Sequence, residues 1–380
     1  MNRKFSHIIT LLAVVILVSG CKLYTAYNDV MHSHLEASST AHLGEPRLEI
    51  QNNIPVLHLY GTPEEMGSQY GKILKKQLVS VIYMVEKVFP KRMVKKYMAF
   101  AEKAEPSMPY EYRTFIKAMA ESSGTDYKKL LAINLVPKTS CSVLAVWDKA
   151  TPDGSLMMGR NADYNLKKIN KALGIIIVKH PKTGYATVAS SFIGLVGSLT
   201  GINEKGVCFG NMLVKNSRKD STQIDGLPIH LWMQIGSEKS ASAREMINFL
   251  TLQKQMIPIN VMCADTSEAI IAELGLNRFS VREGSKGVLA SSNYFYSSEM
   301  YSKPEIDNRF ACLMLNARDH YGEFSLNYLQ DAMYDARVPN KNLQCVLFEP
   351  SKMLMHVSMN KVPASKGPFF TVDIKKLLKE

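Results

Sequence analysis

Thr139-Ser140-Cys141-Ser142-Val143-Leu144-Ala145-Val146-Trp147-Asp148, then Asp153-Gly154, then Met158-Gly159-Arg160-Asn161-Ala162-Asp163-Tyr164, is the stretch that decides the fold. It reads as a β-hairpin. An apolar run follows Cys141, a turn sits at Pro152-Asp153-Gly154, and a second apolar run ends in charged and amide side chains. Pairing the two arms returns Arg160, Asn161 and Asp163 to the cysteine. A thiol beside a guanidinium and a carboxylate is an activated nucleophile, because nearby positive charge favours the thiolate. The alternative is a buried structural cysteine on a strand with a surface ion pair after it, since free cysteine is among the most buried residue types.

Upstream of the hairpin the pattern is helical. Residues 50–59 alternate loosely as a first strand. Thr62 then stands as a helix N-cap, with Pro63 at the first helical position and Glu65 able to complete a capping box. The helix that follows places Met66, Tyr70, Ile73, Leu74, Leu78, Val81, Met84, Val85 and Val88 on one face and ends at Pro90. Gly67 and Gly71, four apart on it, would admit another backbone closely. Further helices are expected over residues 91–103, 110–122 and 126–135, with Gly124 separating the last two.

Downstream the character changes. Apolar, β-branched runs at 175–180, 185–192, 198–203 and 207–214 read as strands. Helical stretches at 227–237 and 241–253 follow, then strands at 259–264, 269–274, 278–282 and 288–293. Helices at 306–317 and 325–336 and strands at 344–349 and 353–359 close the chain. Strands, helices, strands and helices in that order fit two packed sheets between helical layers, although periodicity alone establishes only a mixed α/β chain.

The block Cys-Ser-Val…Asp…Gly…Gly-Arg-Asn-x-Asp-Tyr resembles the nucleophile hairpin of the N-terminal-nucleophile (Ntn) amide hydrolases, in their penicillin acyltransferase-like, acid ceramidase-like and choloylglycine hydrolase-like branches. The resemblance runs from Gly61 to the end of the chain. It implies an α+β fold, a four-layer α-β-β-α Ntn-hydrolase sandwich preceded by a helix-rich N-terminal segment. It also implies self-cleavage of the Ser140–Cys141 bond, dividing residues 47–140, the smaller helix-rich chain, from residues 141–380, the two forming one domain. Gly201-Ile202-Asn203-Glu204-Lys205-Gly206 is locally a hairpin turn; the resemblance makes Asn203 a side chain that helps bind the oxyanion. Asn293, in Ser291-Ser292-Asn293-Tyr294 after a strand, becomes the main oxyanion donor by the same token. Loss of one such donor typically costs ~10²–10³ in rate. Arg309 resembles a late active-site arginine; its plain reading is a surface arginine on a helix.

No histidine is placed beside Cys141 by a motif, although His180 and His230 are the best candidates for a Cys-His pair. A cysteine at a chain terminus does not need one, because its own α-amine titrates near working pH, at about 7.7–8.0. Under the resemblance, the Cys141 thiol attacks the Ser140 carbonyl, water releases the thioester, and the freed amine then serves as the proton shuttle. Arg160 and Asp163 would hold that amine and thiol by charge-assisted hydrogen bonds. Trp147, Tyr164, Phe192 and Tyr294 are candidate acyl-pocket aromatics, with ordinary core positions as the alternative. The implied activity is hydrolysis of linear amides in small N-acyl compounds. Acyl transfer to an amine, or a non-catalytic surface-binding lipoprotein on the same fold, are the alternatives. No cofactor is implied, and no signal for an oligomeric state stands out.

The ends and the composition set the setting. Asn2-Arg3-Lys4 and the apolar run 8–18 read as an export signal, and Leu17-Val18-Ser19-Gly20-Cys21 resembles a bacterial lipobox, which implies a lipoprotein signal peptide over residues 1–20, with an uncleaved anchor or a plain secretory signal as the alternatives. The run is too short for a comfortable membrane span. Cys21 is then the lipid acceptor and membrane attachment, residues 21–46 a polar tether, and the expected location the bacterial cell envelope, exported and lipid-anchored at the outer membrane or periplasmic face. The net charge of +12 comes from scattered Lys and Arg, without a long basic run interleaved with aromatics, which argues against nucleic acid. Cys208, Cys263, Cys312 and Cys345 lie singly in apolar runs without metal-site spacing and are read as core residues.

Overall fold

The computed structural model describes residues 37, 44–135, 140–163, 173–215, 217, 223–301 and 307–379. The expected leader, its lipid-acceptor Cys21, most of the tether and Tyr164 lie outside these residues. Among the described residues no helix is long and apolar enough to cross a membrane.

Two sheets face each other. The first has nine strands in the order β1-β2-β5-β6-β7-β8-β9-β10-β11, from β1 (Arg47–Gln51), β2 (Ile54–Gly61), β5 (Gly174–Pro181), β6 (Thr187–Phe192), β7 (Thr200–Asn203), β8 (Cys208–Leu213), β9 (Ile259–Ala264), β10 (Ala269–Leu274) and β11 (Phe279–Glu283). The second has six, β12-β3-β4-β13-β14-β15, from β3 (Ser140–Asp148), β4 (Gly154–Asp163), β12 (Val288–Ser291), β13 (Asn342–Glu349), β14 (Leu354–Met359) and β15 (Phe370–Asp373). Every neighbouring pair is antiparallel except β2 with β5, which run parallel.

Period-two alternation assigns the faces. On β3, Cys141, Val143 and Ala145 enter the core between the sheets, where Ile176, Val178, Met262 and Val346 meet them. Leu144 and Val146, on the opposite face, pack with Leu313, Leu329 and Met333 of helices α8 (Asn308–Asp319) and α9 (Leu326–Asp335). On the far side, Ile175 and Ile177 of β5 pack under the N-terminal helices α1 (Pro63–Ile73), α2 (Lys75–Val88), α3 (Lys91–Ala104), α4 (Tyr110–Ser123) and α5 (Tyr127–Leu135). Beside these, α6 (Ile229–Lys239) and α7 (Ala243–Thr251) cover β8 to β10. A short helix α10 (Ile374–Lys379) ends the chain. The layer order is therefore α-β-β-α, and the expected α+β class is what the structure shows.

The capping box at Thr62 forms as expected, with Glu65 N donating to Thr62 Oγ1 at 3.3 Å and Thr62 N to Glu65 Oε2 at 2.7 Å. Gly67 and Gly71 do admit another backbone. A Cβ at Gly67 would stand 2.3 Å from Phe115 O, and one at Gly71 would stand 2.4 Å from Met119 O, both on α4. Two expectations change. The strand over 50–59 is a hairpin, β1 folding onto β2 through Asn52 and Asn53, both at positive φ. The long helix breaks at Leu74 (φ −103°, ψ 25°) into α1 and α2.

Candidate active site

The hairpin delivers what its sequence promised. β3 and β4 pair so that Cys141 faces Ala162, Ser142 faces Asn161, Val143 faces Arg160, and Ser140 faces Asp163. Arg160, buried between the sheets, donates through Nη2 to Cys141 Sγ at 3.3 Å. The same side chain lies across β8 of the opposite sheet, donating to the Asn211 carbonyl (Nε 3.2 Å, Nη2 3.1 Å) and to Asn211 Oδ1 (3.2 Å). Gly210 makes room for it: a Cβ there would stand 2.5 Å from Arg160 Cδ.

Asn293 reaches Cys141 from the end of β12. Its Oδ1 accepts from Cys141 N at 2.9 Å and from Arg309 Nη2 at 2.8 Å, while its Nδ2 donates to Leu213 O at 2.6 Å. The turn carrying it is held by Asn260, whose Nδ2 donates to Ser292 O and Tyr294 O. Arg309 is not a surface residue. From the first turn of α8 its Nη1 donates to Cys141 O at 3.0 Å, and Asp307, the N-cap of that helix, orients the guanidinium through Nη2 at 3.0 Å.

Asp163 is buried. Its Oδ1 accepts from Asn342 Nδ2 at 3.0 Å, and Asn342 Nδ2 also reaches Asn161 Oδ1 at 3.0 Å, so β13 locks the end of β4. Among the described residues no hydrogen-bond donor reaches Asp163 Oδ2; Arg309 Nη1 stands 4.0 Å away. Burial pushes the carboxyl up to about 6, against the Asn342 hydrogen bond, the Arg309 charge, the nearby Val338 backbone N–H and the Arg160 charge.

Asn203 is the correction. Its amide is spent on its own turn, Nδ2 donating to Ser237 O (2.7 Å) and Ser240 O (2.8 Å), Oδ1 accepting from Lys205 N and Val207 N at 3.0 Å each. With both amide hydrogens committed it has none for an oxyanion. Asn211, on β8 five residues past Gly206 and carried by no sequence motif, is the amide that reaches Arg160. Asn342, Asn260 and Asp307 likewise sit in no sequence motif; their signal is three-dimensional.

The histidines are engaged elsewhere: His180 stacks on Tyr60 with centroids 4.3 Å apart, and His230 sits buried in α6 with its carbonyl taking Ser198 N. Trp147 packs against Gly284 at the far end of β3, Phe192 joins Leu199 and Leu343, and the Tyr294 ring lies under Lys215 Nζ at 5.9 Å. Beside Asn211 there opens an apolar slot lined by Leu135, Leu213, Ile229, Met256, Ile257 and Ile259. Cys208, Cys263 and Cys345 are free and buried, as expected of core residues; Cys312 is free and half-buried.

Two facing sheets between helical layers, with a cysteine at the start of a central hairpin, are the architecture expected of the Ntn-hydrolase class. The resemblance is borne out by sequence: the family model described as acyl-coenzyme A:6-aminopenicillanic acid acyl-transferase matches residues 150–312. That span holds Arg160, Asp163, Asn211, Asn293 and Arg309 and begins after Cys141. Protein dcd1B of Dictyostelium discoideum is 27% identical over 188 residues, which are 41% of this chain and 38% of that protein. Among solved structures, the N-acylethanolamine-hydrolyzing acid amidase ortholog of Caenorhabditis elegans aligns with a TM-score of 0.44 and 14% identity, over 55% of this chain and 93% of that one. Penicillin V acylase from Agrobacterium tumefaciens aligns with a TM-score of 0.46 and 14% identity, over 62% of this chain and 86% of that one.

Proposed function

We propose that this chain is a self-cleaving cysteine amidase that hydrolyses linear amides of small N-acyl compounds. The observation that carries the reading is the pair of contacts at one residue: Cys141 Sγ 3.3 Å from Arg160 Nη2, and Cys141 N 2.9 Å from Asn293 Oδ1. A core cysteine has no use for either. A nucleophile whose own nitrogen moves the proton needs both held.

In the first step the thiol attacks the Ser140 carbonyl carbon. The C–N bond to Cys141 breaks, its nitrogen takes up the proton, and Ser140 is left as a thioester on Cys141. Water then cleaves the thioester, giving a Ser140 carboxylate, the free thiol and a free α-amine. Asn293 Oδ1 already accepts from that nitrogen, and the open Asp163 Oδ2 is the acceptor for the ammonium. Arg160 sets a positive charge against the sulfur as it turns anionic.

In the second step the freed thiol attacks a substrate carbonyl. Asn211 has its Oδ1 fixed on Arg160 and stands on the wall of the apolar slot, where its Nδ2 is the group to bind the oxyanion. The α-amine takes the thiol proton and passes it to the leaving amine, and water releases the acyl group. The lining of that slot is apolar, the character an acyl chain asks of its surroundings. The second reading, transfer of the acyl group to an amine in place of water, is favoured by the family model's description and uses the same residues.

Intact mass of the purified chain is the test, together with turnover of an N-acyl amide in water and in added amine. A fragment beginning at Cys141, absent from Cys141→Ala, is expected. A single uncut chain without turnover would leave only a binding protein on this fold. The envelope location and the lipid on Cys21 belong to the same proposal, and acyl labelling of the chain but not of Cys21→Ser is the check on them.

A further inference from the structure

Charge is unevenly spread along the chain. Of the net +12, residues 72–96 hold eight Lys and Arg against a single glutamate, a net +7. These eight, Lys72, Lys75, Lys76, Lys87, Lys91, Arg92, Lys95 and Lys96, are all exposed, and among the described residues none is ion-paired. The one acid, Glu86, is itself bonded by Lys129 at 2.7 Å.

Apolar side chains lie among these cations. On α2, Lys76, Val79, Tyr83 and Lys87 follow one another at helical spacing on the outward face, with Val79 47% and Tyr83 39% exposed. Lys87 Nζ stands 5.2 Å from the Tyr83 ring. On α3, Met93, Val94, Tyr97 and Met98 are only half-buried beside the outward Lys91, Arg92, Lys95 and Lys96. Solvated helix faces usually interleave both signs, so that i,i+4 partners offset repulsion. Here like charges crowd, with exposed aromatic and aliphatic groups between them. Such a face is complementary to a surface that is anionic and also accepts apolar side chains.

We infer that α2 and α3 form a docking face for an anionic lipid bilayer. Cations near such a surface add about fivefold in affinity each, and the attraction falls with salt. Tyr83 and Val79 would enter the headgroup boundary. The inference rests on these two helices and on neither the chemistry at Cys141 nor the lipid on Cys21.

The test uses the full chain carrying Cys21→Ser, sedimented with phosphatidylcholine vesicles with and without phosphatidylglycerol, at low and high salt. Binding is expected to require phosphatidylglycerol, to weaken with salt, and to fall at least tenfold in a variant with Lys91→Glu, Arg92→Glu, Lys95→Glu and Lys96→Glu. Tyr83→Ser should weaken binding a few-fold without changing its salt dependence. Should the reversed variant lose its fold, the same four positions changed to Gln carry the comparison. Equal binding of variant and parent, or of both vesicle types, overturns the inference. So does retention on heparin without vesicle binding, which would assign the face to an acidic macromolecule.

Discussion

Adding one methyl group at Gly210 should disable Cys141, the proposed nucleophile, without touching it. A Cβ there would meet Arg160 Cδ at 2.5 Å, Arg160 Nε at 3.3 Å and Met158 Cε at 3.3 Å. Ordinary carbon contacts sit at about 3.5–4.0 Å, so the arginine stem must retreat by about 1 Å. Its guanidinium is held between Cys141 Sγ and Asn211, and both contacts lengthen with that retreat. A displacement of about 1 Å at a catalytic group costs ~10² in rate, and overpacking a core costs about 1–3 kcal/mol in stability. Gly159→Ala separates the two effects. It sits on β4 next to Arg160 but faces the helices, where its Cβ would press on Met333 Cγ at 2.9 Å and Leu329 Cδ1 at 3.1 Å. The assay is the rate at which a fragment beginning at Cys141 appears, and kcat/KM on an N-acyl amide. Gly210→Ala should lose about a hundredfold in each, and Gly159→Ala only stability. Parent-like processing in Gly210→Ala, or equal loss in Gly159→Ala, would refute the assignment of Arg160.

Asp163 makes a pH prediction. Its folded acid is raised to about 6, so an ionised, buried carboxylate costs stability above about pH 6, and this cost is relieved as pH falls toward 4. In uncleavable Cys141→Ala, adding Asp163→Asn should therefore raise stability to urea by up to about 3 kcal/mol at pH 7, with the two curves converging near pH 4; a constant difference across that range contradicts the carboxyl's assignment. Asn203→Ala should cost about 3 kcal/mol or more, through stranded buried carbonyls and amides, with kcat kept in the folded fraction. Asn211→Ala should lose ~10²–10³ in kcat at little cost to melting temperature; an unchanged kcat would remove Asn211 as the oxyanion donor. Gly71→Ala, whose Cβ would stand 2.0 Å from Ser122 Oγ, should lower stability by about 1–3 kcal/mol by lifting α1 off α4, and an unchanged melting temperature would deny that close approach.

The hairpin was legible because period-two alternation and a Pro-Asp-Gly turn together set its register, and register alone brings Arg160 and Asp163 back to Cys141. Asn52-Asn53 carried an equally good turn signal, since asparagine tolerates positive φ, yet the apolar run across it read as one strand. Asn203 misled for a different reason. A Gly-x-Asn-Glu-Lys-Gly run suits a buried turn and a catalytic amide alike, and local sequence does not say where its bonds go. Asn211 was invisible because its role depends on how one sheet sits over the other. Arg160 crosses the gap from β4, lies on the bare backbone of Gly210, and meets the residue after it. That spacing exists only between sheets.

The same crossing separates the amidase reading from a structural one on energetic grounds. Arg160 is a buried cation whose Nη1 has no acceptor among the described residues, and Asp163 is a buried carboxylate whose Oδ2 has no donor. Taking each such ion out of water costs several kcal/mol, and apolar side chains of similar volume would pack the site at lower cost. The intact hairpin thus holds a positive group against a sulfur and a negative group opposite Ser140, across from the bond that would be cut. A thiolate answers the first and an ammonium the second, and a cysteine at a new chain end supplies both.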